Sequence, residues 1–521
     1  MTARSRAASF AIVAAATALS PALAGAGGAS AAGPGPSSCT ALAALALPQA
    51  RIEAAQPVAA GASLVLWNDG PPMPMPRAFC RVRGVATPVA DSRIGFEVWL
   101  PTAAEWNGKF LQAGNGGTAG QVPLASLRDA VARGYAAAAT DGGHLWPDGL
   151  DYGWADGHPE RVVDFGWRAV ERTRRAAGSI VEAAYGRAPA RAYFVGCSDG
   201  GREGLMAAQR QPGDFAGIVA GAPALALLDL MSAGALIQRE LGRDGAALPA
   251  AKLPMLASAV LAACGQGLPY VPDPPSCHFD PAVLACRGAD GADCLTARQV
   301  LAVRHVYSGL PEPGSGRPLP GLAPGGEAGS GNWDFWLLGA ATNPLGGGAA
   351  RPRATSINES FYRHLVRDDP AFTLGDLTAA DLQHARERWS ATLDATDPDL
   401  RAFRAHGGRL LQYHGWTDSA IPPRMSLDYH AAVARRLGDG ADFHRLFMVP
   451  GMNHCGGGAG PSEVDWLAVL ERWVEADQAP EELTARDPQN GRTQHLRPFT
   501  GPAGVDTPRA DLGRTTQETR P

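Results

Sequence analysis

The chain has 521 residues, 45% of them hydrophobic and 19% charged, with a formal net charge of -5. That is ample material for a large core, and the balance lacks the basic excess that marks nucleic-acid binding. Its 64 Gly and 43 Pro are scattered without a period, which excludes a fibre or a repeat array and points to many loops and about two domains.

Residues 1–31 open with Arg4 and Arg6, continue from Ala7 to Leu23 almost without charge, and end in small residues around Ala22-Leu23-Ala24 and Ala29-Ser30-Ala31. A basic start, an apolar stretch and a small-residue end predict a cleaved export signal, hence a secreted or periplasmic protein. No later segment has about 18 consecutive apolar residues, so no membrane span is expected. Export also bears on the eight cysteines, Cys39, Cys80, Cys197, Cys264, Cys277, Cys286, Cys294 and Cys455. They contain no CxxC and do not cluster with His as zinc ligands do, so disulfides are expected.

From Phe96 onward, short β-prone runs alternate with longer amphipathic ones, as in parallel α/β folds. The predicted strands are Phe96–Leu100, Lys109–Ala113, Tyr135–Thr140, Ala192–Gly196, Gly217–Ala220, Arg409–Tyr413 and Phe443–Val449; helical spacing covers Arg161–Tyr185, Gly201–Arg210, Met425–Leu437 and Ser462–Ala476. After Gly221-Ala222-Pro223 the rhythm breaks until about Arg409. Residues 225–399 are therefore expected to form a lid domain inserted into a catalytic domain made of 39–224 and 400–485. Residues 486–521 are polar, with scattered Pro and Gly, and read as a partly disordered tail.

Gly196-Cys197-Ser198-Asp199-Gly200 fits the G-x-S-x-G nucleophile elbow, with a strand before it and a helix after it. A hydroxyl is a poor nucleophile at neutral pH, so Ser198 needs a base within hydrogen-bond reach. In an α/β-hydrolase fold with a large inserted lid, the order is Ser, then acid, then His, the last two on loops after late strands. Asp418 follows the strand ending at Tyr413, and His454 follows the strand ending at Val449. His414 is the rival base, but it precedes the acid and reads as a support for the Asp418 loop. The oxyanion donors expected for acyl transfer are the amide of Asp199 and that of Gly117 or Gly116 in Gly114-Asn115-Gly116-Gly117. Cys197 precedes the candidate nucleophile and Cys455 follows the candidate base, which predicts a Cys197–Cys455 bridge.

The segments Gly-Cys-Ser-Asp-Gly-Gly-Arg-Glu-Gly at 196–204, Tyr-His-Gly-Trp-Thr-Asp at 413–418 and Gly-Met-Asn-His-Cys at 451–455 resemble the tannase and feruloyl esterase family, including its bacterial branch of terephthalate half-ester hydrolases. The likeness runs from Cys39 to about Trp473. It implies esters of aromatic acids, small or polymer-linked, as substrates, and the further bridges Cys39–Cys80, Cys264–Cys277 and Cys286–Cys294. Such relatives carry a lid calcium loop rich in Asp soon after a cysteine, but here nothing between Cys264 and Asp273 offers a carboxylate, so no metal or other cofactor is expected. Asp290 and Asp293 near Cys286 and Cys294 read as solvated. Trp333, Phe335, Trp336, Phe361 and Tyr362 are candidate cover for an acyl ring, or else lid core. Two other functions fit the same residues: hydrolysis of non-aromatic acyl groups, and a non-catalytic secreted binding protein on a hydrolase fold.

Overall fold

The computed structural model describes residues 38–500 except 68–69, 147, 330, 340–350, 439–441 and 488–489. The expected export signal at 1–31 and the tail beyond 500 lie outside the described residues.

Strands with apolar residues on both faces are stable only between two covering layers, and that pattern builds the sheet. Among the described residues nine strands join in one sheet: β1 Ala50–Val58, β2 Phe79–Ala86, β3 Ile94–Pro101, β4 Lys109–Ala113, β5 Ala136–Thr140, β6 Arg191–Cys197, β7 Gly217–Gly221, β8 Arg409–Gly415 and β9 His444–Val449. Their spatial order is β1-β2-β3-β5-β4-β6-β7-β8-β9. The first three pair antiparallel, and β3 also runs antiparallel to β5; from β5 to β9 every pairing is parallel. Alternate residues face opposite cores. Phe194, Ile218 and Leu410 join one core with Ala176 and Ile180, whereas Tyr193, Val219, Leu411 and Phe447 join the other with Leu470 and Trp473. The architecture is an α/β-hydrolase fold: a central mixed sheet with helices on both faces.

The strands read from the sequence all form, but β1 and β2 had no counterpart in that reading. β1 is mostly part-exposed and carries a register shift between Ile52 and Ala54, so its alternation is too weak to read. It is fastened to the sheet edge by β2, and the Cys39–Cys80 bridge ties the chain before β1 to β2.

The expected continuous helix 161–185 is broken. An α turn at Pro159–Val163 gives way to a π turn at Asp164–Arg168 before the helix Ala169–Tyr185. The π turn widens the backbone where buried Asp164 accepts from Ser92 Oγ at 2.6 Å and Arg168 Nε at 2.5 Å. It also offers the carbonyls of Phe165 and Gly166 to the fully buried Arg202. Part of the stretch assigned to the tail is ordered as well: Leu483–Arg486 pairs with Thr493–Leu496, and the Phe499 amide donates to Leu446 O of β9.

Residues between β7 and β8 form helices at Leu227–Leu241, Leu253–Cys264, Ala297–Ser308, Arg353–Phe361 and Ala379–Leu393. They enclose one core of their own around Leu256, Val303 and Trp333 and share another with Tyr152, Trp154 and Phe165 of the sheet domain. The bridges Cys264–Cys277 and Cys286–Cys294 close two short loops in this insertion.

The helix after Ser198, Asp199–Arg210, carries three buried ionisable groups under the site. Arg202 pairs with Asp199 at 2.6 Å. Glu203 accepts from the Asn115 amide at 2.8 Å and from Asn115 Nδ2 at 3.0 Å, which ties the Gly114–Gly117 loop to this helix. Burial, then the neighbouring Asp199 carboxylate, push the Glu203 carboxyl up to about 7, against the pull of the Asn115 donors. A folded carboxyl that holds its proton more tightly than the unfolded one adds stability that is complete below about pH 4 and is lost as pH rises through about 7. Glu203→Gln should abolish that dependence. In thermal unfolding across pH 4.5 to 7.5, wild type should lose midpoint relative to the variant as pH rises; parallel curves would contradict the assignment.

Candidate active site

Ser198 sits at the turn between β6 and the helix Asp199–Arg210 with φ 64° and ψ -123°, a conformation side-chain-bearing residues rarely adopt. The glycines around it serve close approach. A Cβ on Gly196 would lie 2.4 Å from Gly200 backbone, and one on Gly200 would lie 2.7 Å from Asn115 O. The turn is pinned from both sides, Ser198 N donating to Gly221 O at 2.9 Å and Gly200 N to Asn115 O at 2.8 Å.

The loops after β8 and β9 deliver the other two candidates. Ser198 Oγ lies 2.9 Å from His454 Nε2, and His454 Nδ1 lies 2.7 Å from Asp418 Oδ2. An ionised carboxylate can only accept, so Nδ1 carries the proton and Nε2 is left to accept from the serine hydroxyl. Asp418 Oδ1 takes the amides of Ala420 and Ile421 at 2.8 and 2.9 Å. Burial alone would raise the Asp418 carboxyl. His454 and His414 beside it outweigh burial and hold it well below the usual carboxylate range.

His414 is fully buried beside Asp418. Its Nε2 is 3.2 Å from both Asp418 Oδ2 and Ile421 O, two acceptors, so that nitrogen is the donor and Nδ1 accepts from Ser426 Oγ at 2.7 Å. Cys197 and Cys455 are bridged, with Cα atoms 5.9 Å apart.

A cavity of about 960 Å³ opens onto Ser198 and His454, with Gly116, Gly117 and Asp199 in its wall. Gly117 needs its φ of 60°, and a Cβ there would lie 1.9 Å from Gly149 O, so only glycine fits that wall. Thr118 anchors the same loop: its amide donates to Gly149 O at 2.7 Å, and its carbonyl accepts from His144 Nε2 at 2.8 Å. Desolvation lowers the His144 imidazole to about 4, which keeps it a neutral donor.

The aromatic candidates divide. Phe335 and Trp336 line the cavity, and Trp336 stands edge-on to His454 with ring centroids 5.9 Å apart. Trp333, Phe361 and Tyr362 do not line it; Trp333 is buried in the lid's own core, and Phe361 and Tyr362 in the core the lid shares with the sheet domain, so their apolar bulk serves packing. Two lining arginines escaped the sequence reading: Arg351, ion-paired to Glu359 at 2.8 Å, and Arg353, whose guanidinium lies 5.5 Å from the Phe335 ring centroid. Their signal was present, because residues 335–350 carry no charge and the two arginines follow at once.

The donor set does not fit a calcium ion. In the loop after Cys264, Asp273 is engaged with Ser276. Among the described residues the one grouping with metal-ligand spacing is Cys286, Asp290 and Cys294. Its sulfurs are bridged to each other, and Asp290 is not merely solvated but takes Lys252 Nζ at 2.5 Å.

The model of the family "Tannase and feruloyl esterase" matches residues 80–515. An uncharacterized esterase of Xanthomonas campestris pv. campestris is 38% identical over 502 residues, spanning 87% of this chain and 86% of its own. The mono(2-hydroxyethyl) terephthalate hydrolase of Piscinibacter sakaiensis is 33% identical over 482 residues, 78% of each chain. Among solved structures, feruloyl esterase B from Aspergillus oryzae superposes with a TM-score of 0.79 at 25% identity, over 89% of this chain and 95% of that one. Matched over most of its length to esterases, this chain is a carboxylic ester hydrolase and belongs to the tannase and feruloyl esterase family.

Proposed function

We propose that the protein is an exported serine esterase that releases aromatic acids from their esters through an acyl-enzyme on Ser198. The observation that carries the reading is the continuous relay Ser198–His454–Asp418, 2.9 and 2.7 Å long, at the wall of the cavity. Ser198 Oγ attacks the ester carbonyl carbon as His454 Nε2 takes its proton, and the amides of Asp199 and Gly117 stabilise the oxyanion. Collapse expels the alcohol, which receives the proton from His454. Water then attacks the acyl-enzyme, its proton passing to the same nitrogen and from there to Ser198 Oγ as the acid leaves. Asp418 stays ionised throughout, holding the imidazole in its productive tautomer and stabilising the imidazolium. Four disulfides and, among the described residues, no helix long and apolar enough to cross a membrane accord with an exported enzyme. No step calls on a metal.

Within aromatic acyl groups, the cations in the cavity wall favour one with a carboxylate remote from the ester, as in a terephthalate half-ester. Arg351 already shares Glu359, whereas Arg353 has no carboxylate partner among the described residues and stands over the Phe335 ring. A bound carboxylate would gain a charge-assisted hydrogen bond there.

Chromatographic assay of acid release from methyl ferulate, methyl gallate and a terephthalate half-ester tests the reading. Ser198→Ala should abolish release, and Asp418→Asn should lower kcat by about 10³- to 10⁴-fold. Retained turnover in Ser198→Ala would sink the serine mechanism, and no release by wild type from any of the three would sink the aromatic class. Arg353→Gln should raise KM for the half-ester by about 10-fold or more, the scale of a lost charged hydrogen bond, with methyl ferulate little affected; equal effects on both would remove Arg353 from acyl recognition. Exhaustive dialysis against a chelator should leave kcat and thermal midpoint unchanged, and a loss restored by calcium would overturn the metal-free reading.

A further inference from the structure

We propose that Asn332, a lid residue outside the cavity wall, is a positioning residue that holds the loops of the candidate acid and the candidate base in register; the proposal rests on the Ser198–His454–Asp418 reading. Its side chain is buried, and both amide hydrogens and the amide oxygen have partners. Nδ2 donates to Thr417 O at 3.0 Å and to Asn453 Oδ1 at 3.1 Å, and Oδ1 accepts from Ser419 Oγ. Thr417 and Ser419 flank Asp418, and Asn453 precedes His454. One lid amide therefore touches both neighbours of the acid and the neighbour of the base. Thr417 Oγ1 closes the ring by donating to the same Asn453 oxygen at 2.9 Å.

The amide is itself held from the lid side. Asn332 O accepts the amides of Phe335 and Trp336, and Asn332 N donates to Asp334 Oδ1 at 2.9 Å. The next residue, Trp333, is fixed in the lid core with Leu322 and Val303. Gly326 lets the lid backbone close over this contact, since a Cβ there would lie 2.9 Å from both Asn332 Nδ2 and Thr417 O. Four residues beyond Asn332, Trp336 meets the His454 ring edge-on. The segment 332–336 thus fastens the lid to the triad at two points, so the insertion acts as a fixed wall of the catalytic machinery. A buried amide with three partners is costly to leave unmatched, and a displacement of the loops by about 1 Å is enough to slow turnover on the order of 10²-fold.

The test is a double-mutant cycle on kcat, KM and thermal midpoint with Asn332→Ala, Asn453→Ala and the pair, together with the rate of labelling of Ser198 by a serine-directed phosphonate. Each single change should lower kcat and the labelling rate by about 10-fold or more, with KM within about twofold because Asn332 does not line the cavity. The pair should lose much less than the product of the single losses, since both remove the shared Asn332–Asn453 contact. Asn332→Asp keeps the shape and loses both donors; it should show the same deficit and covers the case in which Asn332→Ala fails to fold. Wild-type kcat and labelling in a folded Asn332 variant, or losses that multiply fully in the pair, would overturn the proposal. Absence of any label on Ser198 in wild type would instead overturn the serine reading beneath it.

Discussion

The site depends on bringing together two residues that are 256 positions apart in the chain, Ser198 and His454, at one hydrogen bond. The Cys197–Cys455 bridge imposes that proximity covalently through their immediate neighbours, closing a separation of 258 residues. A cross-link over so long a loop removes much of the freedom of the unfolded chain, about 5 kcal/mol in the chain-entropy model. Its local effect matters more here. The strained turn at Ser198 and the loop that presents His454 cannot drift apart while the bridge holds, and the two side chains keep their alignment even though the lid lies between them in sequence.

Around that pair the structure spends its buried polar groups on rigidity. Asp418 is saturated: two backbone amides on one oxygen, two imidazoles on the other. Glu203 and His144 fix the Gly114–Thr118 loop from below and behind, and Arg202 joins the helix after Ser198 to the π turn and to Leu393 O of the lid. Such networks lose more when half satisfied than they gain when complete. Three separate elements are therefore committed to one arrangement of the cavity wall, as expected for catalysis by preorganised dipoles.

The sequence made the placement of the candidate site legible because strand-end motifs bind a residue type to a place. Gly196 and Gly200 flank Ser198 for the close approach of turn and helix, and Asp418 and His454 each end an apolar run that can only be a buried strand. The double adjacency of Cys197 and Cys455 carried the bridge. What stayed hidden depends on contacts between distant segments. Helical spacing at 161–185 could not show that Arg202 would draw on Phe165 and Gly166 carbonyls and favour a π turn. Trp333 and Phe361 have the same composition as Phe335 and Trp336, and only the packed lid separates core from cavity wall. The strands 50–58, 483–486 and 493–496 lie at or beyond the sheet's margins, where half-exposed side chains blur the alternation.

The central claim is that an acyl group passes through Ser198. Rapid quenching of the enzyme with an aromatic ester, followed by mass spectrometry of the intact protein and of its peptides, observes that step directly. The expected result is a transient mass increase equal to the acyl group, confined to the peptide containing Ser198. Turnover with no adduct, or an adduct on another residue, would contradict the account.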